Sequence, residues 1–451
     1  MEEVFVRTHA SASKRLWLVI AAGTLVASGC VRHTVRTSDI GPFRDFVAAT
    51  EHAQASDYLG KPGVRVVDTG EFEKMKTYLV DRYRDVHVAH SFHGIENAYV
   101  DCFPILEQPS IKNLRGDQRT IDRKGPPILD QPHGQQPLQH QSEFSQRHAI
   151  DLTLKAGVFD AKGNERFCHG DTIPIQRITL DDVTHFPSLA AFFQKGERSN
   201  GNNDPADAQH YYARGVQFVG NLGADSWLNV WSPSVASDRM SLSQIWVVAD
   251  EGSSKQTAEA GWQVYPGKWH SDNAALFIYY TKAGYQKDTG CYNTECEGFK
   301  QVANNVYLGS GFDHYSATDQ TQWGFELQYK RGDNGDWWLF YRGPGDWIPV
   351  GYYPKSVYGD GKLSVQAEKI AFGGEDTGEP SAKQMGSGEK ADKHFGKSAY
   401  QHTIFYIDTR GTSQWATLSK EEPDPTCYTA EINNIFGAWG TYLYFGGPSC
   451  N

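Results

Sequence analysis

Ala274-Ala-Leu-Phe-Ile-Tyr-Tyr-Thr281 is a run of aliphatic and aromatic residues with Asp272-Asn273 before it and Gly284 just beyond, which is the pattern of a strand between turns. Three more runs share it: Trp323-Gly-Phe-Glu-Leu-Gln-Tyr329, Trp337-Trp-Leu-Phe-Tyr341 and Thr403-Ile-Phe-Tyr-Ile-Asp408. Lys330-Arg-Gly-Asp-Asn-Gly-Asp336 joins two of them as a hairpin connection. Short strands separated by turn residues predict an antiparallel β-sandwich of the jelly-roll or concanavalin-like kind. Composition agrees: aromatics make up 13% and Met only 4 residues, a sheet-leaning balance, and 45 Gly with 20 Pro exclude a coiled coil. Upstream, Met75, Tyr78, Leu79, Tyr83 and Val86 recur near helical spacing, so Phe72 to Val88 is expected to be an amphipathic helix in a smaller α+β region.

The chain has 451 residues and a formal net charge of -11, enough length for several domains and the wrong sign for a nucleic-acid partner. Gly196-Glu-Arg-Ser-Asn-Gly-Asn-Asn-Asp-Pro205 is polar and rich in Gly and Asn, and it is read as the linker between an N-terminal region, 30–200, and an all-β domain, 206–451. The Gln/Pro-rich stretch from Pro109 to Gln141 reads as a surface wrap. At the N-terminus, Lys14-Arg15 precede an apolar run from Leu16 to Ala27, too short for a membrane span, so 1–29 is read as a signal peptide. It closes on Ala27-Ser-Gly-Cys30, which resembles a bacterial lipobox and makes Cys30 the expected lipidation site. The expected location is therefore the cell envelope or the exterior, with membrane contact only through that lipid. Six cysteines remain for an oxidising compartment. Cys291 and Cys296 are close enough to close a small loop, and Cys427 with Cys450 would tie down the C-terminus. No ligand spacing calls for a metal, and no motif for a cofactor.

Nucleophile-elbow, zincin, P-loop and dinucleotide-binding motifs do not occur. Asp-Thr-Gly occurs at Asp68, Asp288 and Asp376, the tripeptide of aspartic peptidases, but the residues that follow are wrong and the triplets read as turns. Two acids are out of place. Glu259 lies in Ala258-Glu-Ala-Gly-Trp262, between small residues and an aromatic run, and Glu375 follows Phe372-Gly-Gly374. Bulky neighbours desolvate a carboxyl and raise its pKa, and a second acid splits the two values, as general acid–base work requires.

From about His210 to Asn451 the chain resembles the neprosin family of glutamic, proline-directed endopeptidases. The resemblance is carried by Ser241-Leu-Ser-Gln-Ile-Trp246, Glu259-Ala-Gly-Trp262, Gly290-Cys-Tyr-Asn293, Trp337-Trp-Leu339, Gly351-Tyr-Tyr-Pro354, Phe372-Gly-Gly-Glu375, Gln384-Met-Gly-Ser-Gly388 and Tyr444-Phe-Gly-Gly-Pro448. Leu59-Gly-Lys-Pro62, Asp101-Cys102 and Cys168 with Thr172-Ile-Pro-Ile175 are similar to the family's activation peptide. The resemblance implies a zymogen whose prosegment covers a groove until cut near Gly196 to Asp207. It also implies a catalytic pair, Glu259 and Glu375, and a proline-containing peptide as substrate, with Trp262, Tyr353 and Gln384 as contact residues. It pairs Cys291 with Cys296 and Cys427 with Cys450, which leaves Cys102 for Cys168. Tyr353 stands where the family tends to carry Trp. Two other readings stay open: a glycoside hydrolase using the same carboxyl pair, and a non-catalytic carbohydrate- or protein-binding sandwich.

Overall fold

A strand of 20 residues, His210–Asn229, serves both layers of the fold. Its first half pairs antiparallel with Ala367–Thr377 and its second with Gln322–Arg331. Gly223 marks the change of partner: its φ is +153°, and a Cβ there would lie 2.1 Å from the Tyr329 carbonyl oxygen. In this computed structural model the described residues are 36–94, 98–132, 149–152, 154, 159–160, 162–195, 210–378, 384–437, 439–448 and 450. The signal peptide, Cys30 and the 196–205 linker lie outside them.

Next to Ala367–Thr377 come Ser241–Ala249, Gln256–Val264, Ala275–Thr281 and Gly290–Tyr292 in that order. On the other side, Gln322–Arg331 is followed by Trp337–Arg342, Ile348–Tyr353 and Lys300–Gln301. With the C-terminal strands and Ala149–Asp151, which pairs parallel with Gln322–Arg331, they form, among the described residues, a curled and otherwise antiparallel sheet of 16 strands, the sandwich that the aromatic runs predict. The hairpin expected at 330–336 is present, closed by Gly332 N–H donating to Asp336 O at 2.8 Å. The main core lies between the layers. Ile245, Val247, Ala258, Ala260 and Trp262 from one layer meet Phe325, Leu327, Tyr329 and Leu339 from the other, all buried. Each large side chain sealed there contributes about 1.5–3 kcal/mol.

The N-terminal region carries a three-stranded sheet, Ser91–His93, Tyr99–Pro104 and Thr172–Gln176, held to the chain by the Cys102–Cys168 disulfide. The other two expected bonds, Cys291–Cys296 and Cys427–Cys450, also form. The expected helix runs Thr69–Tyr83, a few residues early at both ends. Asp68 caps it by accepting from Glu71 N at 2.8 Å, and the chain leaves the helix at Arg84, whose backbone is extended, with Asp85 beyond it at φ +58°. Phe72, Met75 and Leu79 from this helix pack with Trp246, Phe277, Tyr279 and Tyr292 in a second core, on the outer face of the 241–281 strands. Arg36–Asn451 form one compact unit. Of the Asp-Thr-Gly triplets, Asp68 is this helix cap and Asp288 a turn residue at φ +61°, but Asp376 is a buried strand residue accepting from Tyr428 OH. Among the described residues no helix is long and apolar enough to cross a membrane.

Candidate active site

In Gln256–Val264 the side chains alternate. Ala258, Ala260, Trp262 and Val264 enter the main core, so Thr257, Glu259 and Gly261 face the second core and the N-terminal region. Glu259 is in register with Trp246 on one neighbouring strand and Tyr279 on the other, which leaves it no path to water from within the sheet. Glu375 lies on Ala367–Thr377, in register with Tyr212 and Leu242. Between the two glutamate strands runs Ser241–Ala249, whose Gln244 faces Gly261 on one side and Gly373 on the other. A Cβ on Gly261 would sit 2.6 Å from that of Gln244, so the glycines beside the acids keep the floor between them clear.

Both carboxyl groups are buried, and one ammonium joins them. Lys195 Nζ donates to Glu259 Oε2 at 2.5 Å and to Glu375 Oε2 at 2.6 Å, which holds those oxygens within about 5 Å of one another. Side-chain exposure of the three groups is 1%, 0% and 1%, so the ions are screened by one another rather than by solvent. Trp246 lies beneath the ammonium, 5.2 Å from Nζ to ring centre. Glu259 accepts three further bonds: Thr257 Oγ1 at 2.7 Å and Tyr285 OH at 2.6 Å on Oε1, and Gln244 Nε2 at 2.7 Å on Oε2. Glu375 Oε1 lies 2.5 Å from His210 Nδ1. Burial by itself would raise the Glu375 carboxyl, but the charge of Lys195, with His210, outweighs it and holds the group well below the usual carboxylate range. Burial, then the charge of Glu259, push the Tyr285 phenol far up, which keeps it a donor.

Lys195 comes from the N-terminal region, at the end of the short helix Leu189–Phe193. That helix is anchored at both ends: Leu189 N–H donates to Glu71 Oε1 at 2.8 Å, and Lys268 Nζ donates to the Phe192 carbonyl at 2.7 Å.

Two expected contact residues need correction. Trp262 is fully buried in the main core, on the opposite face of the strand from Glu259, with its indole N–H on Asn229 O at 2.8 Å. Tyr353 is equally buried, packed on Tyr280, Phe299 and Tyr358. Neither reaches the face that carries the glutamates. Gln384 is exposed, its Oε1 accepting from Ser234 N at 3.4 Å. Aromatic residues on the glutamate face include Trp246, Tyr279 and Tyr285. Lys195, His210, Gln244 and Tyr285 are not signalled by the sequence, since nothing near each of them announces an acid that is distant in sequence or on a neighbouring strand; Thr257, two residues from Glu259 on the same strand, was open to that reading through alternation.

The family model described as Neprosin matches residues 237–448. Among solved structures, scytalido-glutamic peptidase with a peptide-based transition state analog aligns at 8% identity over 53% of this chain and 99% of its own, with a TM-score of 0.27. The same peptidase with a transition state analog inhibitor gives 8%, 53%, 98% and 0.28. SCP-B, a member of the Eqolisin family of peptidases in complex with the tripeptide Ala-Ile-His, gives 8%, 53%, 98% and 0.26.

Proposed function

Residues 237–448 form a neprosin domain, which makes the chain a peptidase, and from that premise we propose an exported glutamic endopeptidase, made as a zymogen, that cuts on the carboxyl side of proline in acid. The observation that carries the reading is the convergence of Glu259 and Glu375 on a single ammonium. Residues 30–200 are the prosegment and 206–451 the catalytic domain, with Lys195 occupying the place of the reacting groups until the prosegment leaves.

The surroundings divide the labour. Glu259 is met on both oxygens by donors, three of which belong to the catalytic domain and remain when Lys195 withdraws. It is the acceptor, and it takes the proton of the attacking water. Burial favours the protonated Glu375 carboxyl, and Lys195, with His210, holds it ionised; withdrawal of Lys195 removes the largest of these opposing charges and moves the group towards its protonated form. Glu375 then donates to the scissile carbonyl oxygen as charge develops there and afterwards protonates the leaving amine. Gln384 remains a candidate substrate contact at the surface, and Trp246 and Tyr285 replace Trp262 and Tyr353 as the aromatic lining. Three disulfides fit an exported protein, and anchoring at Cys30 completes the envelope reading.

The test is to incubate residues 31–451 with a proline-containing peptide from acidic to neutral pH, beside Glu259→Gln and Glu375→Gln, and read products by mass spectrometry. Cleavage after proline, strongest in acid and lost in both variants, is expected. An acid-processed protein that cuts nothing, or variants that cut equally well, would overturn it.

A further inference from the structure

We propose that the outer face of Trp337–Arg342 and Ile348–Tyr353 is a second peptide-binding surface, for an extended proline-containing stretch of a protein substrate, and that residues 120–130 of the chain itself occupy it until the prosegment leaves. The proposal rests on the zymogen reading above and adds where a long substrate is held. In Trp337–Arg342 the side chains alternate. Trp337, Leu339 and Tyr341 enter the main core, so Trp338 and Phe340 point the opposite way, and Tyr352 joins them from the next strand. The three rings make a nearly level surface: Tyr352 and Phe340 lie 4.5 and 6.0 Å from Trp338 between ring centres, at 27° and 26° between planes. Rings on the outside of a sheet would be open to water, yet these are 1%, 3% and 2% exposed for Trp338, Phe340 and Tyr352. Part of the Gln/Pro-rich stretch that reads as a surface wrap covers them.

The covering segment is Thr120-Ile-Asp-Arg-Lys-Gly-Pro-Pro-Ile-Leu-Asp130. Ile128 packs into the ring cluster. Gly125 lies against Trp338, where a Cβ would sit 2.9 Å from the indole, and its φ is +63°, so both space and backbone call for glycine. Pro126 and Pro127 have no N–H to offer a strand ladder and hold the chain extended as it crosses the face. Gln328, on the adjoining strand, accepts from Leu129 N–H at 3.1 Å and donates to Leu129 O at 2.9 Å, and its amide is oriented by a further bond to Asp225 Oδ2. Lys330 Nζ donates to Pro127 O at 2.5 Å, Lys300 Nζ to Thr120 O at 2.8 Å, and Asp122 N–H to Tyr352 OH at 3.0 Å. Each of these bonds to the segment ends on one of its main-chain atoms. A face that grips main chain and lays rings against Gly-Pro-Pro selects a conformation more than a sequence, so a substrate stretch of the same kind fits it. Departure of residues 30–200 bares an apolar patch rimmed by two ammonium groups and an amide, on the opposite layer from Glu259 and Glu375. A substrate that reaches both is held at one and cut at the other, with the gain in local concentration that a second foothold gives.

The test is fluorescence anisotropy at neutral pH, with a labelled peptide of the 120–130 sequence as probe and the full chain in a Glu259→Gln background, so that the probe is not consumed. In the otherwise unaltered chain the tethered segment outcompetes the probe. Gly125→Val with Ile128→Asp unseats that segment, and the probe should then bind at least about tenfold more tightly. The same peptide with Ala in place of both prolines should bind the opened chain at least about tenfold more weakly. Adding Trp338→Ala should abolish the gain. Should that variant fail to fold, Lys330→Ala decides, since it leaves the rings in place and should weaken the probe at least about threefold. Equal binding before and after opening, indifference to the prolines, or indifference to Lys330→Ala would each overturn the proposal. So would cellohexaose displacing the probe at a lower concentration than unlabelled peptide, which would assign the rings to carbohydrate. The readout needs no turnover. A chain that shows this binding but, with Glu259 intact, cuts no peptide refutes the peptidase reading alone, and one that cuts after proline yet binds the probe equally before and after opening refutes the second surface alone.

Discussion

The sheet buries two carboxyl pairs, and they differ in what surrounds them. Glu259 and Glu375 meet one ammonium, one imidazole and three neutral donors. Asp225 and Glu326, on the adjoining strands His210–Asn229 and Gln322–Arg331, meet one amide, Gln328 Nε2 at 2.9 Å from Asp225 Oδ2, and one guanidinium, Arg342 on Glu326. Burial, and then the proximity of Glu326, push Asp225 well above its ordinary value, and burial raises Glu326 despite Arg342. Asp225 Oδ1 is left without a donor among the described residues, and the raised Asp225 carboxyl favours holding a proton that it shares with Glu326. The same pair of residue types is thus an acceptor site where donors are plentiful and a proton-sharing strut where they are scarce. Two acids together do not make a catalyst; the donor count around them decides.

The comparison is broken most directly by amide swaps. Glu259→Gln or Glu375→Gln should lower turnover by about 10³-fold or more, equivalent to about 4 kcal/mol of barrier. Asp225→Asn or Glu326→Gln should leave it within about threefold, because neither pair member touches the glutamate face. Comparable losses from both pairs, in steady-state rates on a proline-containing peptide, would remove the distinction.

A buried acid outside both pairs sharpens it. Glu295, under the N-terminal region, is ion-paired to Lys268 at 2.8 Å, with Arg82 also nearby, and burial raises its carboxyl to about 7 even so. Its ionised form is the costly one, so the folded chain takes up a proton near 7 that the unfolded chain takes up only near the ordinary value. Stability should fall as pH rises through that window, by at most about 1.4 kcal/mol per pH unit. Glu295→Gln should flatten that slope between about pH 5 and pH 7 in urea titrations, and an unchanged slope would assign it elsewhere.

Local pattern made the strands and the helix legible, because alternation and helical spacing are properties of neighbouring residues. It also exposed Glu259 and Glu375, each a charge set against glycine in an apolar run. Trp262 was open to exclusion on the same grounds: it stands three residues from Glu259 on a strand, and an odd separation places it on the other face. Tyr353 was not, since its burial against Phe299 and Tyr358 follows from strand order in the sheet. Lys195 lies 64 residues from one glutamate and 180 from the other, and no periodicity reaches that far. Asp225 and Glu326 are hidden for the same reason, as each looks like an ordinary strand acid until the register brings them side by side.

The smallest effect expected is at Arg342, and it tests the strut most finely. Arg342 is 42% exposed and leans on Trp347, so its ion pair with Glu326 is partly screened by solvent. Removing a partner from a fully buried pair costs about 3–5 kcal/mol, but here water already shares the charge and the acids can hold a proton instead. Arg342→Leu should therefore cost only about 1 kcal/mol at neutral pH. The sign with pH follows from the raised carboxyls: folding favours their protonated forms, and loss of the guanidinium raises them further. The deficit should shrink as the medium is acidified and the wild-type pair takes up the proton that the variant's pair already holds. Urea unfolding of wild type and variant at neutral and acidic pH measures it. A deficit that stays constant down into the ordinary carboxylate range would mean that the pair is ionised in the native sheet, and the contrast with Glu259 and Glu375 would then rest on geometry instead of donor supply.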